Sequence, residues 1–176
     1  NGDSDTPLTI AADRGSVENV KLLISKGAYI NHRNDANMSA IGNALFGYDS
    51  PPQQGITKKD YYTVANILVK NGAEINSSEA GAFLAALISE EGIKLSDKKT
   101  RFIIDFNKYN KNIMPFVEGV VKKLDCRKIT NIKHSNRVGG FDQIELALNE
   151  STTEGFALAD KFREIAAQQR PKAPRR

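Results

Sequence analysis

A nine-residue phrase that occurs twice constrains this chain more than any other feature. LISKGAYIN (residues 23–31) returns as LVKNGAEIN (residues 68–76) in the same order: an apolar pair, a polar pair, Gly-Ala, one variable residue, then Ile-Asn. Internal similarity at a spacing of tens of residues marks stacked supersecondary units, none of which can bury its apolar face alone. The residues leading into and opening each copy carry apolar side chains at helical spacing, Val20 and Leu23 in the first and Val64, Ile67 and Leu68 in the second. Each glycine then stands where a helix should stop.

The first unit reads through from residue 6 to residue 31, TPLTIAADRGSVENVKLLISKGAYIN. Thr6-Pro7-Leu8 opens a helix, Ala11-Ala12 are small enough for close helix packing, and Gly15 turns the chain. Val20, Leu22, Leu23 and Ile24 make the stripe of a second helix, and Gly27-Ala28 closes the unit. In this order the residues resemble a member of the ankyrin repeat family. The resemblance implies units of about 33 residues, each a β-turn and two antiparallel helices. Thr9 departs from the family pattern, standing where a histidine usually ties neighbouring turns together.

Gly27 and Gly72 lie 45 positions apart, more than one such unit, so the second repeat is expected to carry an inserted loop near 46–58. Asn37-Met38-Ser39-Ala40-Ile41 opens that repeat and Asn43-Ala44-Leu45 continues its first helix. GYDSPPQQG, from Gly47 to Gly55, then interrupts, because two prolines in tandem cannot continue a helix. Thr57 with Asp60 three residues on predicts the next helix start, with the helix running to Lys70. Gly42 takes the histidine place here and should soften this repeat by about 1 kcal/mol relative to alanine.

Beyond Asn76 the motif blurs. Ala82 to Ile88 reads as a first helix, and Ser96 to Tyr109 as its partner, with Phe102, Ile103 and Phe106 as the stripe. Ile113 to Leu124 reads as a further helix, Cys126 to Gly140 has no period, and Phe141 to Leu148 with Phe156 to Ala167 reads as a last helical pair. Ser151 with Glu154 fits a capping box. The expected fold is all-α, an ankyrin-type helical-repeat solenoid of about four to five helical pairs with short β-turn fingers. Residues 1–110 form the repeats in this reading, 111–170 continue them as degenerate repeats or a C-terminal cap, and 171–176 are a basic disordered tail.

Composition narrows the function classes. No apolar run approaches the roughly 18 residues of a membrane span, and the first residue is Asn, which suggests a piece of a longer, intracellular protein. The single cysteine, Cys126, rules out an internal disulfide. Three glycosylation-type sequons, at Asn37, Asn76 and Asn149, read better as turn chemistry. Residues 1–76 are near neutral, with seven basic and eight acidic side chains, whereas 94–137 hold twelve basic and four acidic ones. That stretch could steer an anionic surface, although lysines on solvated helix faces explain it as well. Nothing matches a nucleic-acid-binding module, which argues against nucleic acid as partner. No metal, cofactor or catalytic motif emerges: His32 and His134 fit no ligand spacing, and Cys126 with His134 makes a poor nucleophile and base. No enzymatic activity is expected.

The resemblance implies binding through finger tips and the exposed side of the first helices of each unit. Carried onto this chain, that assigns partner contacts to Asp3, Asp5, Asp13 and Arg14 of the first unit. The second finger supplies His32, Arg33, Asp35 and Met38, with Arg33 and Met38 foremost, and the third supplies Ser77, Ser78 and Glu79. Phe46, Tyr48, Tyr61 and Tyr62 are the aromatic candidates near the insertion. The function expected is a non-catalytic protein–protein interaction module, part of a larger multidomain protein such as a bacterial effector acting on a host protein in the host cytosol. The alternative is an ankyrin targeting arm joined to a separate functional domain at 111–176, enzymatic or binding an anionic surface.

Overall fold

The computed structural model describes residues 4–135, 138, 140–172 and 174. It divides into two compact units, Asn1–Glu79 and Ala80–Arg176.

The first unit holds two helical pairs: α1 (Pro7–Asp13) with α2 (Val17–Ser25), and α3 (Ala40–Asp49) with α4 (Lys58–Lys70). Each first helix starts on a hydroxyl cap. Thr6 accepts from the Thr9 amide at 3.2 Å while the Thr9 hydroxyl accepts from the Thr6 amide at 2.9 Å. Ser39 accepts from the Gly42 amide at 3.0 Å. α4 opens on the expected box, Thr57 and Asp60 exchanging bonds of 3.2 and 2.8 Å. α1 packs on α2 and α3, and α4 packs on α2 and α3. Leu8, Ala12, Val20, Ile41, Ala44, Val64, Ala65 and Leu68 form the core between them.

One side chain locks the two pairs. The Tyr61 ring lies against Gly15 and Gly47, and its hydroxyl donates to the Asp13 carbonyl at 3.2 Å. A Cβ on Gly47 would stand 2.2 Å from the ring edge, so the glycine is required by contact. Gly15 must be glycine for a second reason, its φ of +61°. Gly47 therefore belongs to α3, and the irregular connection runs over 50–57, later than the tandem-proline argument placed its start.

The second unit overturns the all-α solenoid. After α5 (Ser77–Glu90), whose first turn lies before the division, come β1 (Lys94–Asp97) and β2 (Phe102–Phe106). α6 (Met114–Val121), β3 (Arg127–Lys133), β4 (Asp142–Leu148) and α7 (Thr153–Gln168) follow. The strands form one antiparallel sheet in the order β1-β2-β4-β3. Thus Ser96 to Tyr109, read as a helix, holds the end of β1, a hairpin turn and β2, and Phe141 to Leu148, also read as a helix, holds β4. Among the described residues the chain is mixed, with seven α-helices and a four-stranded sheet. The physical reason lies in the alternation. Phe102, Ile104 and Phe106, with Ile144, Leu146 and Leu148, fill one face of the sheet at period two. Ile103 and Ala147, half-buried on the other face, supplied the extra apolar positions that mimic a helix.

That buried face meets α7, where Phe162 sits edge-on to Phe102 with ring centroids 5.1 Å apart. Gln169, just past α7, closes the edge: its amide group donates to the Ile93 carbonyl and accepts from the Leu95 amide, both at 2.8 Å. Phe83 of α5 meets Phe116 of α6 edge-on at 6.0 Å, and Gly81 lets Leu158 of α7 approach. α6 and α7 are helices where periodicity predicted them, but Thr152 rather than Ser151 caps α7, accepting from the Gly155 amide at 3.0 Å. Of the tail at 171–176, residues 173, 175 and 176 lie outside the described residues.

Candidate interaction surface

The turn before α3 is built by asparagines. The Asn34 side chain accepts from the Ala36 and Met38 amides at 3.1 and 2.9 Å, and Asn37 takes a left-handed φ of +59°, which asparagine tolerates better than most residues. Arg33 and Ser39 pair across the base of this finger. The other two sequon asparagines also do turn work: the Asn76 side chain accepts from the Glu79 amide at 2.8 Å, and that of Asn149 from the Ser151 amide at 3.3 Å.

Successive fingers are bonded to each other. Asn34 donates to the Asp5 carboxylate at 2.9 Å, Ser4 donates to Asp35 at 3.0 Å, and His32 Nε2 donates to the Ser4 carbonyl at 2.5 Å. Asn31 accepts from the Glu74 amide at 2.8 Å. Arg33 makes a two-pronged pair with Glu79, both prongs 3.1 Å, and also donates to the Asn37 carbonyl at 3.0 Å. Glu79 additionally accepts from the Ser39 hydroxyl and the Asn76 amide, each at 3.0 Å. A planar fork meeting a carboxylate is among the stronger polar contacts. Gly42 explains how it fits: a Cβ there would stand 3.2 Å from Glu79 Oε1, so the missing side chain leaves room for the carboxylate.

The residues chosen from the family pattern therefore fall into groups. Asp3 lies outside the described residues. Asp5, His32, Arg33, Asp35 and Glu79 are members of the finger network. Asp13 and Arg14 are exposed at the end of α1, Ser78 is exposed, and Met38 and Ser77 are half-buried. Tyr48, Tyr61 and Tyr62 are core residues, Tyr48 carrying the Lys58 ammonium 4.9 Å from its ring centroid. Phe46 is 66% exposed on α3, and Ile10, which the family pattern did not single out, is 41% exposed on α1. Counted from the caps Thr6 and Ser39, Ile10 corresponds to Asn43 and Asp13 to Phe46, and α1 lies beside α3. These four therefore stand at matching positions of two helices that pack together. The linking residues Ser4, Asn31 and Asn34 were also missed; the asparagine density of the turn is the one sequence signal that marks them.

Residues 3–35 match the family model Ankyrin repeat. No curated protein and no solved structure matches the chain at a significant level. The ankyrin repeat so matched contains α1, α2 and the second finger through Asp35, and it points to a protein-interaction module. Its Thr9, at the histidine place, is fully buried and lies 3.1 Å from the Asp5 carboxylate, so a hydroxyl supports the finger locally. No helix among the described residues is long and apolar enough to cross a membrane.

Two polar features lie in the second unit. Cys126 is buried, and burial first, then the neighbouring Glu154 carboxylate, pushes its thiol up to about 11. It is protonated at neutral pH and unsuited to nucleophilic attack. Glu145, in the middle of the sheet's polar face, is almost buried and is held by Arg101 at 3.0 Å and by Lys133. The hydrogen bond from Lys133, opposed by burial and helped by both cations' charge, holds its carboxyl below the usual range.

Proposed function

We propose that residues 4–79 serve as a protein-docking module whose contact surface is the exposed side of α1 and α3, flanked by the bonded fingers. The observation that carries this reading is Phe46, a large aromatic side chain two-thirds in solvent on α3, while α1, which packs on α3, presents Ile10, Asp13 and Arg14 to solvent. An exposed apolar centre with a charged rim is how protein interfaces are composed. The finger network supports it by fixing the rim before a partner arrives, which lowers the ordering cost of association. In this reading the chain acts by binding rather than by catalysis, and the protonated Cys126 thiol fits that. The setting within a larger effector protein gains no support from the geometry.

The test is a comparison of partner capture by the parent chain, by Phe46→Ala and by Arg33→Ala. Phe46→Ala should weaken binding by on the order of 2 kcal/mol, the cost typical of an interface anchor, while leaving the melting temperature unchanged. Arg33→Ala should lower the melting temperature first. Full retention of the partner by Phe46→Ala would move the contact surface elsewhere.

A further inference from the structure

The second unit contains a hollow of about 540 Å³ on the polar face of its sheet, lined among others by Lys99, Arg101, Lys128, Ile129, Glu145 and Ala147. Its volume lies in the range of small-molecule sites. Two departures from regular strand geometry converge on it. Consecutive strand residues face opposite sides, yet Lys128 and Ile129 both line this hollow. The pairing of β3 with β4 explains it: Arg127 pairs with Leu148 and Ile129 with Ala147, leaving Lys128 as the extra residue of a bulge. Without the bulge, Lys128 would fall opposite Leu148 on the buried face. Bulges re-aim side chains in this way and are common beside functional sites. The second departure is Lys99, at the tip of the β1–β2 hairpin, with φ of +65° where glycine or asparagine is the usual choice. Each irregularity brings a lysine to the same hollow.

The charge balance there is uneven. Glu145 is already held by Arg101 and Lys133, and Glu150, the other acid of the rim, by Arg163 at 2.6 Å. Lys99 and Lys128 make no ion pair among the described residues. Between them lies an apolar floor, Ile129 being 64% exposed on an edge strand, beside Ala147. Two unneutralised ammonium groups over an apolar floor suit a ligand with an anionic head and an apolar body.

We propose that this hollow binds a small organic anion, its carboxylate or phosphate held by Lys99 and Lys128 and its apolar body lying on Ile129 and Ala147. The site belongs to the second unit alone, and the inference does not rest on the docking function proposed for residues 4–79.

The experiment is an amide NMR titration of the full chain with phenyl phosphate, benzoate, inorganic phosphate and benzyl alcohol. Phenyl phosphate or benzoate should give saturable shifts confined to amides near 99–101, 128–129 and 145–151. Tighter binding of one or the other assigns a phosphate or a carboxylate head. Lys99→Gln and Lys128→Gln, both at solvent-exposed positions, should each weaken that binding roughly tenfold. Ile129→Ser should weaken the aromatic anions and leave inorganic phosphate unchanged, a readout that simple charge attraction would not give. Shifts spread evenly over all lysines would overturn the proposal. So would inorganic phosphate or benzyl alcohol binding as tightly as the aromatic anions, lysine variants that bind as the parent does, or no saturable shift at millimolar concentration.

Discussion

Each unit of this protein holds one nearly buried glutamate, and the two glutamates solve different problems. In the helical unit Glu79, its side chain 10% exposed, receives one guanidinium fork and two neutral donors, joining the second finger to the third. In the sheet unit Glu145, 9% exposed, receives two cations and joins β4 to β3 and to the residue before β2. Helices bond their backbone within themselves, so neighbouring helical pairs need side chains to tie their turns together. Strands already bond to neighbours, so an acid on the open face serves instead to keep that face charged and partly covered. The carboxylate is the same; what it cross-links is set by whether the backbone has already made the connection.

The largest expected effects lie in the two cores. Phe162→Ala should cost about 3–5 kcal/mol and Leu68→Ala about 2–5 kcal/mol by urea denaturation, as large-to-small changes at fully buried sites do. Leu23→Ala, at the position in the first phrase that corresponds to Leu68, should fall below about 2 kcal/mol because Leu23 is only half-buried and Leu22 beside it is 55% exposed. Equal costs at 23 and 68 would mean that the two copies are packed alike, against the structure. Next come the glutamate partners. Arg33→Ala leaves Glu79 without the one cation that pairs with it among the described residues and should cost about 1–3 kcal/mol. Arg101→Ala leaves Lys133 on Glu145 and removes a half-exposed group, so less than about 1 kcal/mol is expected. A reversed order would break the contrast between the two acids.

The smallest effect is a matter of pH. The Glu145 carboxyl is held low by Lys133, and that of Asp60 by the Thr57 amide and hydroxyl at the α4 cap. A carboxylate whose folded value lies below its unfolded one stabilises fully above the ordinary carboxylate range. That contribution is lost as pH falls from there through the folded value. Melting curves taken downward from about pH 5, near the top of that range, should show stability draining away, less so in Glu145→Gln and in Asp60→Asn. Curves of the same slope in parent and variants would remove both carboxylates from the acid response.

How much of this could be read in the chain follows the same division. Hydroxyl caps act over three residues, so Thr57 with Asp60 announced α4 and Thr6-Pro7-Leu8 announced α1, and the twice-used phrase announced a repeat. The sheet could not be read that way. FIIDF and DQIELAL carry apolar residues on one face and half-buried ones on the other, so their period-two signal is filled in, and short apolar runs of that kind do not separate strand from helix. The partners that decide the matter, Phe102 with Leu146 or Asn131 with Glu145, are far apart in sequence. Asp5, His32, Arg33, Asp35 and Glu79 do lie at the fingers, but nothing local told that Arg33 would be occupied by Glu79, 46 positions away. The bulge at Lys128 left no mark in composition at all.

The Tyr61 ring, lodged against Gly47, makes two distant positions behave as a single unit of inheritance. While the ring is present Gly47 cannot gain a side chain, and if the ring were lost the space it fills would open there, whereas Gly15 would stay confined by Ile56 and its own backbone. Substitutions at 47 and 61 should then be far from additive. A descendant of this chain could rewrite that corner only by changing the tyrosine first.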